Sequence, residues 1–237
     1  MVYRSASRAK SCSRCRPLGK HFRSPTPMSE TPTSIALTPW LARSSVGPRK
    51  LHQPGPDEHE RSLLFAAAAN VFDNGRLRPC RFVAASAASA AKRELLAEAF
   101  VRYATESRGL ASSDDLDPSI HAAERAKAFN APCLLLMLAR VREDLTEIPA
   151  HEQWISVGAS LGNLMAASTA LGYAGKIVSG PRVRHHAVQA VVCEAEEPLV
   201  GFIYLGTREL GDSARGTAPS ASLKKMPSRH PSMAEVQ

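Results

Sequence analysis

The sequence predicts a single domain of mixed class, α/β or α+β, in which helices cover a sheet. Three observations point there. Strand-like apolar runs interleave with segments of helical periodicity between about residues 57 and 206, with no internal repeat. The 237 residues are 44% hydrophobic, enough to bury a core and to exclude wholesale disorder. Aromatics are only 5% and alanine is abundant, which favours close-packed helices over a large β-sandwich.

Each element has its own warrant. Asp57 and Glu60 are spaced as a capping box ahead of an apolar run and predict a helix over 57–70. "RFVAAS" (81–86) reads as a strand, and the next helix runs from about 89 to 106 with Leu95, Leu96, Ala99, Phe100 and Tyr103 on one face. A polar loop containing "SSDDLDP" leads to a short helix near 121–129, and "PCLLLMLA" (132–139) is a buried strand. Pro149 opens a long helix that Gly172 ends. Residues 153–175 carry no charge, but Gln153, Ser156, Ser160, Asn163, Ser168, Thr169 and many alanines make this a buried helix, not a membrane span. Gly158 and Gly162 form a small-residue strip suited either to packing within the chain or to a subunit contact. "KIVS" (176–179) is a short strand, 183–192 a helix and "LVGFIYLG" (199–206) the final strand.

The 30 Lys and Arg outnumber the 22 Asp and Glu, giving a formal charge of +8. Arg4, Arg8, Lys10, Arg14, Arg16, Lys20 and Arg23 occupy an acid-free leader, and subtracting these seven leaves +1. The basic balance therefore belongs to the leader, and no specific nucleic-acid partner is expected. Residues 1–40 read as a disordered basic leader, 41–210 as the folded domain and 211–237 as a disordered tail. Met28 opens a second start, so residues 1–27 are expected to be an upstream extension; their Arg- and Ser-rich composition also resembles an organelle transit peptide. The five cysteines are odd in number and widely separated, which suits a reducing, cytoplasmic compartment.

The familiar chemical motifs fail one by one. Cys12-Ser-Arg-Cys15 lacks a second ligand pair, and His151-Glu152 lacks a second His at position 155, which is Ile155. His185 and His186 are adjacent, and on a helix they would point about 100° apart, so no metal site is expected. "ALGYAGKIV" (170–178) fails as a phosphate-binding loop at Ala170 and Ile177, and neither GxGxxG nor GxSxG occurs. With no nucleophile and base and no paired carboxylates, the pattern points to a bound cofactor that the protein positions.

The remaining segments resemble, in order and spacing, the nitroreductase-like flavoproteins, particularly their small YdjA-like branch. They are Arg43-Ser44-Ser45, then Asp73-Asn74-Gly75-x-Leu77-x-Pro79-x-Arg81-Phe82, Glu152-Gln153, Leu171-Gly172 with Ile177-Val178-Ser179-Gly180, and Val200-Gly201-Phe202 with Leu205-Gly206-Thr207. The resemblance covers about residues 40–207. It implies an α+β nitroreductase-like fold with a mainly antiparallel central sheet covered by helices, forming a homodimer with FMN at the interface. It also implies ping-pong hydride transfer from the co-substrate NAD(P)H, through FMN, to nitroaromatic or quinone-type acceptors.

By position, the resemblance assigns Arg43, Ser44 and Ser45 to the FMN phosphate and ribityl chain. Asn70 and Asn74 would reach the flavin of the other subunit, and Ile177, Val178, Ser179 and Gly180 would line it from their own. Arg215 would be a second phosphate-binding arginine. No catalytic acid or base is assigned. The chain departs from the pattern where Val71-Phe72 stands for Ala-Pro, Asn74 for His, and Cys80 and Ile177 for two tryptophans. Those losses leave open a roomier pocket, a different acceptor or weaker FMN binding, and with them the alternative of a flavin or small-ligand binding protein that has lost catalysis. Cys80 reads as a packed neutral thiol.

Overall fold

The computed structural model describes residues 37, 39–85, 90–194 and 197–209. Among the described residues the strands and longer α-helices follow one another as β1 (Leu51–His52), α1 (Glu58–Ala69), β2 (Cys80–Ala84), α2 (Ala90–Glu106), α3 (Pro118–Ala126), β3 (Cys133–Ala139), α4 (Ala150–Ala170), β4 (Ala174–Val178), α5 (His186–Val192) and β5 (Leu199–Arg208). The fold is α+β. All strand pairings are antiparallel, with β5 between β3 and β4, β2 outside β3, and β1 on the last two residues of β5. Among the described residues, the one parallel contact is an isolated bridge from Ser45 to Gly175.

β3 reads as a continuous apolar run because helices cover both sheet faces. Leu134, Leu136 and Leu138 pack with Phe202 and Tyr204 against Leu96 and Phe100 of α2 and Val188 of α5. Leu135 and Met137 face the other way with Ile203 and Leu205, against Leu64 of α1 and Val157, Leu164 and Met165 of α4. Phe100 meets Phe202 edge to face at 5.2 Å.

The capping box is present: Glu60 N donates to Asp57 Oδ1 at 2.8 Å, and Asp57 N donates to Glu60 Oε2 at 2.9 Å. Gly172, at φ 87°, ends α4 as expected. Helix α3 begins earlier than the sequence suggested, because Asp117 caps Ser119 N and Pro118 takes the first helical position. On α2 the buried stripe is Leu96, Phe100 and Ala104, while Leu95, about 100° round the helix, is 51% exposed. The helix expected over 183–192 is broken at His185 into a 3-10 turn, Pro181–Arg184, and α5. An unbroken helix would point Val183 and Val188 about 140° apart; the break lets both enter the core.

Helix α4 is not buried all round. Trp154, Ile155, Gly158 and Gly162 form an exposed face, and a Cβ added at either glycine would meet nothing within 4 Å. The uncharged run therefore does not mark burial within this chain. No described helix is long and apolar enough to cross a membrane.

Candidate functional site

The segment carrying Arg43, Ser44 and Ser45 lies along the outer edge of β4. Val46 N donates to Gly175 O at 3.1 Å beside the Ser45 bridge. Gly175 has no room for a side chain: a Cβ there would sit 2.5 Å from the Tyr204 carbonyl oxygen and from Leu205 Cδ2. This contact fixes Ser44 next to the end of β5, where Arg208 Nη2 donates to Ser44 Oγ at 2.5 Å. Arg43, Ser44 and Arg208, with Thr169 and Gly172 at the end of α4, line an open pocket of about 250 Å³. Its described lining contains two guanidinium groups and no carboxylate. That donor set suits a phosphate, since guanidinium–phosphate bonds are charge-assisted and often bidentate.

Arg208 was missed by the sequence reading, and the expected Arg215 lies outside the described residues. The available signal was the register. "GFIYLG" is a strand, Thr207-Arg208 continues it, and its end must lie beside whatever borders β4.

The Ile177–Gly180 segment is not a single wall. Ile177 pairs with Ile203 and packs into the α1/α4 side, and the adjacent Val178 belongs to the α2/α5 side. Ile177 also lies over Gly201, where a Cβ would come within 2.9 Å of it. What the segment offers outward is backbone. Beyond Gly175, no described residue pairs with the outer edge of β4. Gly180 holds φ 116° with nothing within 4 Å of a Cβ position, leaving a flat approach that a side chain would close.

Asn70 and Asn74 are held elsewhere, on the loop after α1, by polar groups of α4. Asn163 Nδ2 donates to Asn70 O at 2.9 Å, Ser156 Oγ to Phe72 O at 2.9 Å, and Asn74 Nδ2 to Glu152 Oε2 at 3.3 Å. Residues 152, 156 and 163 share one helix face. The motif around Asn74 is a constrained turn: Asp73 accepts from Leu77 N at 3.1 Å and Arg78 N at 2.7 Å, and Gly75 supplies φ 70°. From Glu152 to Thr169, α4 covers roughly 25 Å at its rise of 1.5 Å per residue. The structure therefore brings Arg43, Ser44 and Ser45 together with the β4 edge, places Asn74 at the opposite end of α4 beside Glu152, and sets Asn70 between them beside Asn163, about 9 Å along the helix from Thr169. Gln153 is a structural residue, donating to Arg142 O at 2.8 Å and Ile148 O at 2.9 Å. Arg81 is likewise structural, paired with buried Glu197.

Cys80 lines a cavity of about 600 Å³ with Phe65, Phe82, Arg76, Arg78 and Ser160. Burial pushes its thiol up to about 12, partly opposed by a hydrogen bond with Ser160. It is neutral at physiological pH, and an indole at this position would intrude on that cavity. Tyr173, which lines the same pocket as Arg43 and Arg208, is also pushed up to about 12, because its hydroxyl donates to Glu60 Oε2 at 2.7 Å.

The comparisons with known proteins agree with this architecture. A Haemophilus influenzae protein provisionally named NAD(P)H nitroreductase is 27% identical over 174 residues, covering 73% of this chain and 88% of the relative. The provisionally named NAD(P)H nitroreductase YdjA of Escherichia coli K12 is 26% identical, covering 72% of this chain and 87% of its own length. Among solved structures, a nitroreductase-like family protein of Bacillus cereus matches with TM-score 0.57 at 16% identity, over 77% of this chain and 89% of that one. The FMN-dependent nitroreductase NfnB of Mycobacterium smegmatis, solved with NADPH, matches with TM-score 0.56 at 19% identity, over 75% and 89%. Residues 41–207 match the Nitroreductase family, and the chain belongs to that family of oxidoreductases.

Proposed function

We propose that this chain is an FMN-dependent NAD(P)H oxidoreductase that works as a homodimer and reduces nitroaromatic or quinone-type acceptors. The observation that carries the reading is the pocket of Arg43, Ser44 and Arg208, whose described lining holds two guanidinium groups and no carboxylate, beside the stretch of the β4 edge past Gly175 that no described residue pairs with. Arg43, Ser44 and Arg208 would hold the phosphate, with Ser45 next to them. The β4 edge, Ser179 and Gly180 would meet the planar ring system through backbone groups, Gly180 admitting it closely because it has no Cβ.

A homodimer accounts for two further features. Asn74 stands at the other end of α4 from the Arg43–Arg208 pocket and Asn70 on the same loop, so both would serve the site of a second copy. The exposed Trp154, Ile155, Gly158 and Gly162 face gives that copy a surface on which helices can approach closely. FMN, when bound, supplies the two-electron transfer between NAD(P)H and the acceptor. The chain's own part is to bind and orient it, with the Tyr173 hydroxyl at the pocket held by Glu60.

The test is the visible absorbance of the purified chain, expressed with FMN supplied. The expected result is a near-stoichiometric bound flavin that NADH or NADPH bleaches anaerobically and a quinone or nitroaromatic restores. Bound flavin that neither nicotinamide bleaches would support the alternative, a flavin-binding protein without turnover. A folded chain that refuses FMN overturns both readings.

A further inference from the structure

We propose that Glu106, His185 and His186 form a binding site for a divalent transition cation of the zinc class, independent of the flavin reading. The adjacency of the two histidines, which on a continuous helix would drive them apart, is no obstacle in the folded chain. His185 has extended backbone, φ −72° and ψ 132°, and precedes α5, while His186 is its first residue. The two rings consequently lie together, centroids 4.4 Å apart and tilted by 38°.

Glu106, the last residue of α2, faces both. Its Oε2 is 3.0 Å from His185 Nε2, and its Oε1 is 3.6 Å from His186 Nε2. One ligand atom from each of the three residues lies within 4.8 Å of the other two. Ligands bound tetrahedrally at about 2.0–2.1 Å stand about 3.3–3.4 Å from one another, and the two observed spacings bracket that value. Two imidazoles and a carboxylate suit zinc-class cations, whereas calcium and magnesium prefer all-oxygen shells.

The surroundings fix one ligand and leave an opening. The His185 side chain is 15% exposed and stands edge-on to Tyr103 at 5.3 Å. Its Nδ1 is buried without a partner among the described residues, so its polar contact is made through Nε2. The His186 side chain is 61% exposed, and the fourth position on that side would go to water. Arg102 Nε donates to Glu106 Oε1 at 2.7 Å; its side chain is also 61% exposed and can yield that oxygen by turning to solvent. A bound cation would tie the end of α2 to the start of α5 and hold the Pro181–Arg184 turn that follows Gly180.

The experiment is Zn(II) titration of the untagged full chain by calorimetry, with metal analysis after desalting and thermal unfolding with and without Zn(II). A Cys12→Ser/Cys15→Ser background removes the leader's thiol pair from the count. In that background one equivalent of Zn(II) is expected to bind and to raise Tm. Adding His186→Ala, which removes an exposed side chain, should weaken binding at least about tenfold, since losing a group that only supports a ligand already costs that much, and should reduce the Tm shift accordingly. Glu106→Gln should do the same. Failure of the background chain to bind Zn(II), or equal uptake and Tm shift with and without His186→Ala, overturns the proposal.

Discussion

Replacing Arg208 by glutamine tests the phosphate pocket directly. Arg208 ends β5, and its pairing opposite Leu51 uses backbone that glutamine preserves, so the fold should persist. The lost group is a guanidinium already aimed at Ser44 Oγ, 2.5 Å away. A hydrogen bond to a charged group contributes roughly 1.5–3 kcal/mol, and each 1.4 kcal/mol is about tenfold in affinity. The pocket is open and Arg43 remains, so the lower half of that range applies and FMN should bind about 10–50-fold more weakly. Titration of the apoprotein by flavin fluorescence quenching reads this, with riboflavin as the internal control. Riboflavin carries no phosphate, and its affinity should change by no more than about twofold. Equal losses for FMN and riboflavin, or no loss for FMN, would refute the reasoning. So would a larger FMN-specific loss in Arg215→Gln run alongside.

Other consequences can be measured without ligand. Arg93, 6% exposed, donates to the carbonyls of Ala85, Ala131 and Pro132 at 2.7, 3.0 and 2.8 Å, so Arg93→Met should destabilise the chain by about 3 kcal/mol in urea unfolding through unpaired buried acceptors. Gly175→Ala forces a methyl against the Tyr204 carbonyl and should cost about 1–3 kcal/mol, read as a lower Tm. Burial pushes the Cys80 thiol up to about 12 and Cys133 up to about 11, from 9.0. As pH rises above 9.0 the unfolded chain releases thiol protons that the folded chain retains, so stability falls from 9.0 up to about 11 through Cys133 and up to about 12 through Cys80. Cys80→Ala should make that fall shallower in denaturation midpoints measured across the range.

What could be read from the chain alone follows from how local each cause is. Asp57 and Glu60 make contacts three residues apart, so the start of α1 was legible, and the run through β3 announced a strand covered on both faces. The break at His185 was not legible, because it serves two valines that only the assembled core brings together. Arg208 was missed for a related reason: its partner Ser44 is distant in sequence, and only the pairing of β4 and β5 joins them. The resemblance supplied Asn70 and Asn74, but nothing local tells that Ser156 and Asn163 hold their loop. Those polar residues of α4 had counted only as evidence against a membrane span.

The separation of Asn74 from Arg208 along α4 would give the proposed dimer a genetics of its own. If each flavin site takes its phosphate pocket from one copy and its asparagines from the other, subunits with different defects can repair one another. A chain carrying Arg208→Gln and a chain carrying Asn70→Ala with Asn74→Ala would each be impaired alone. Paired, they concentrate both lesions in one site and leave the other intact. Random mixing would then return roughly a quarter of the wild-type sites at full affinity, a recovery that no site built within a single chain can produce.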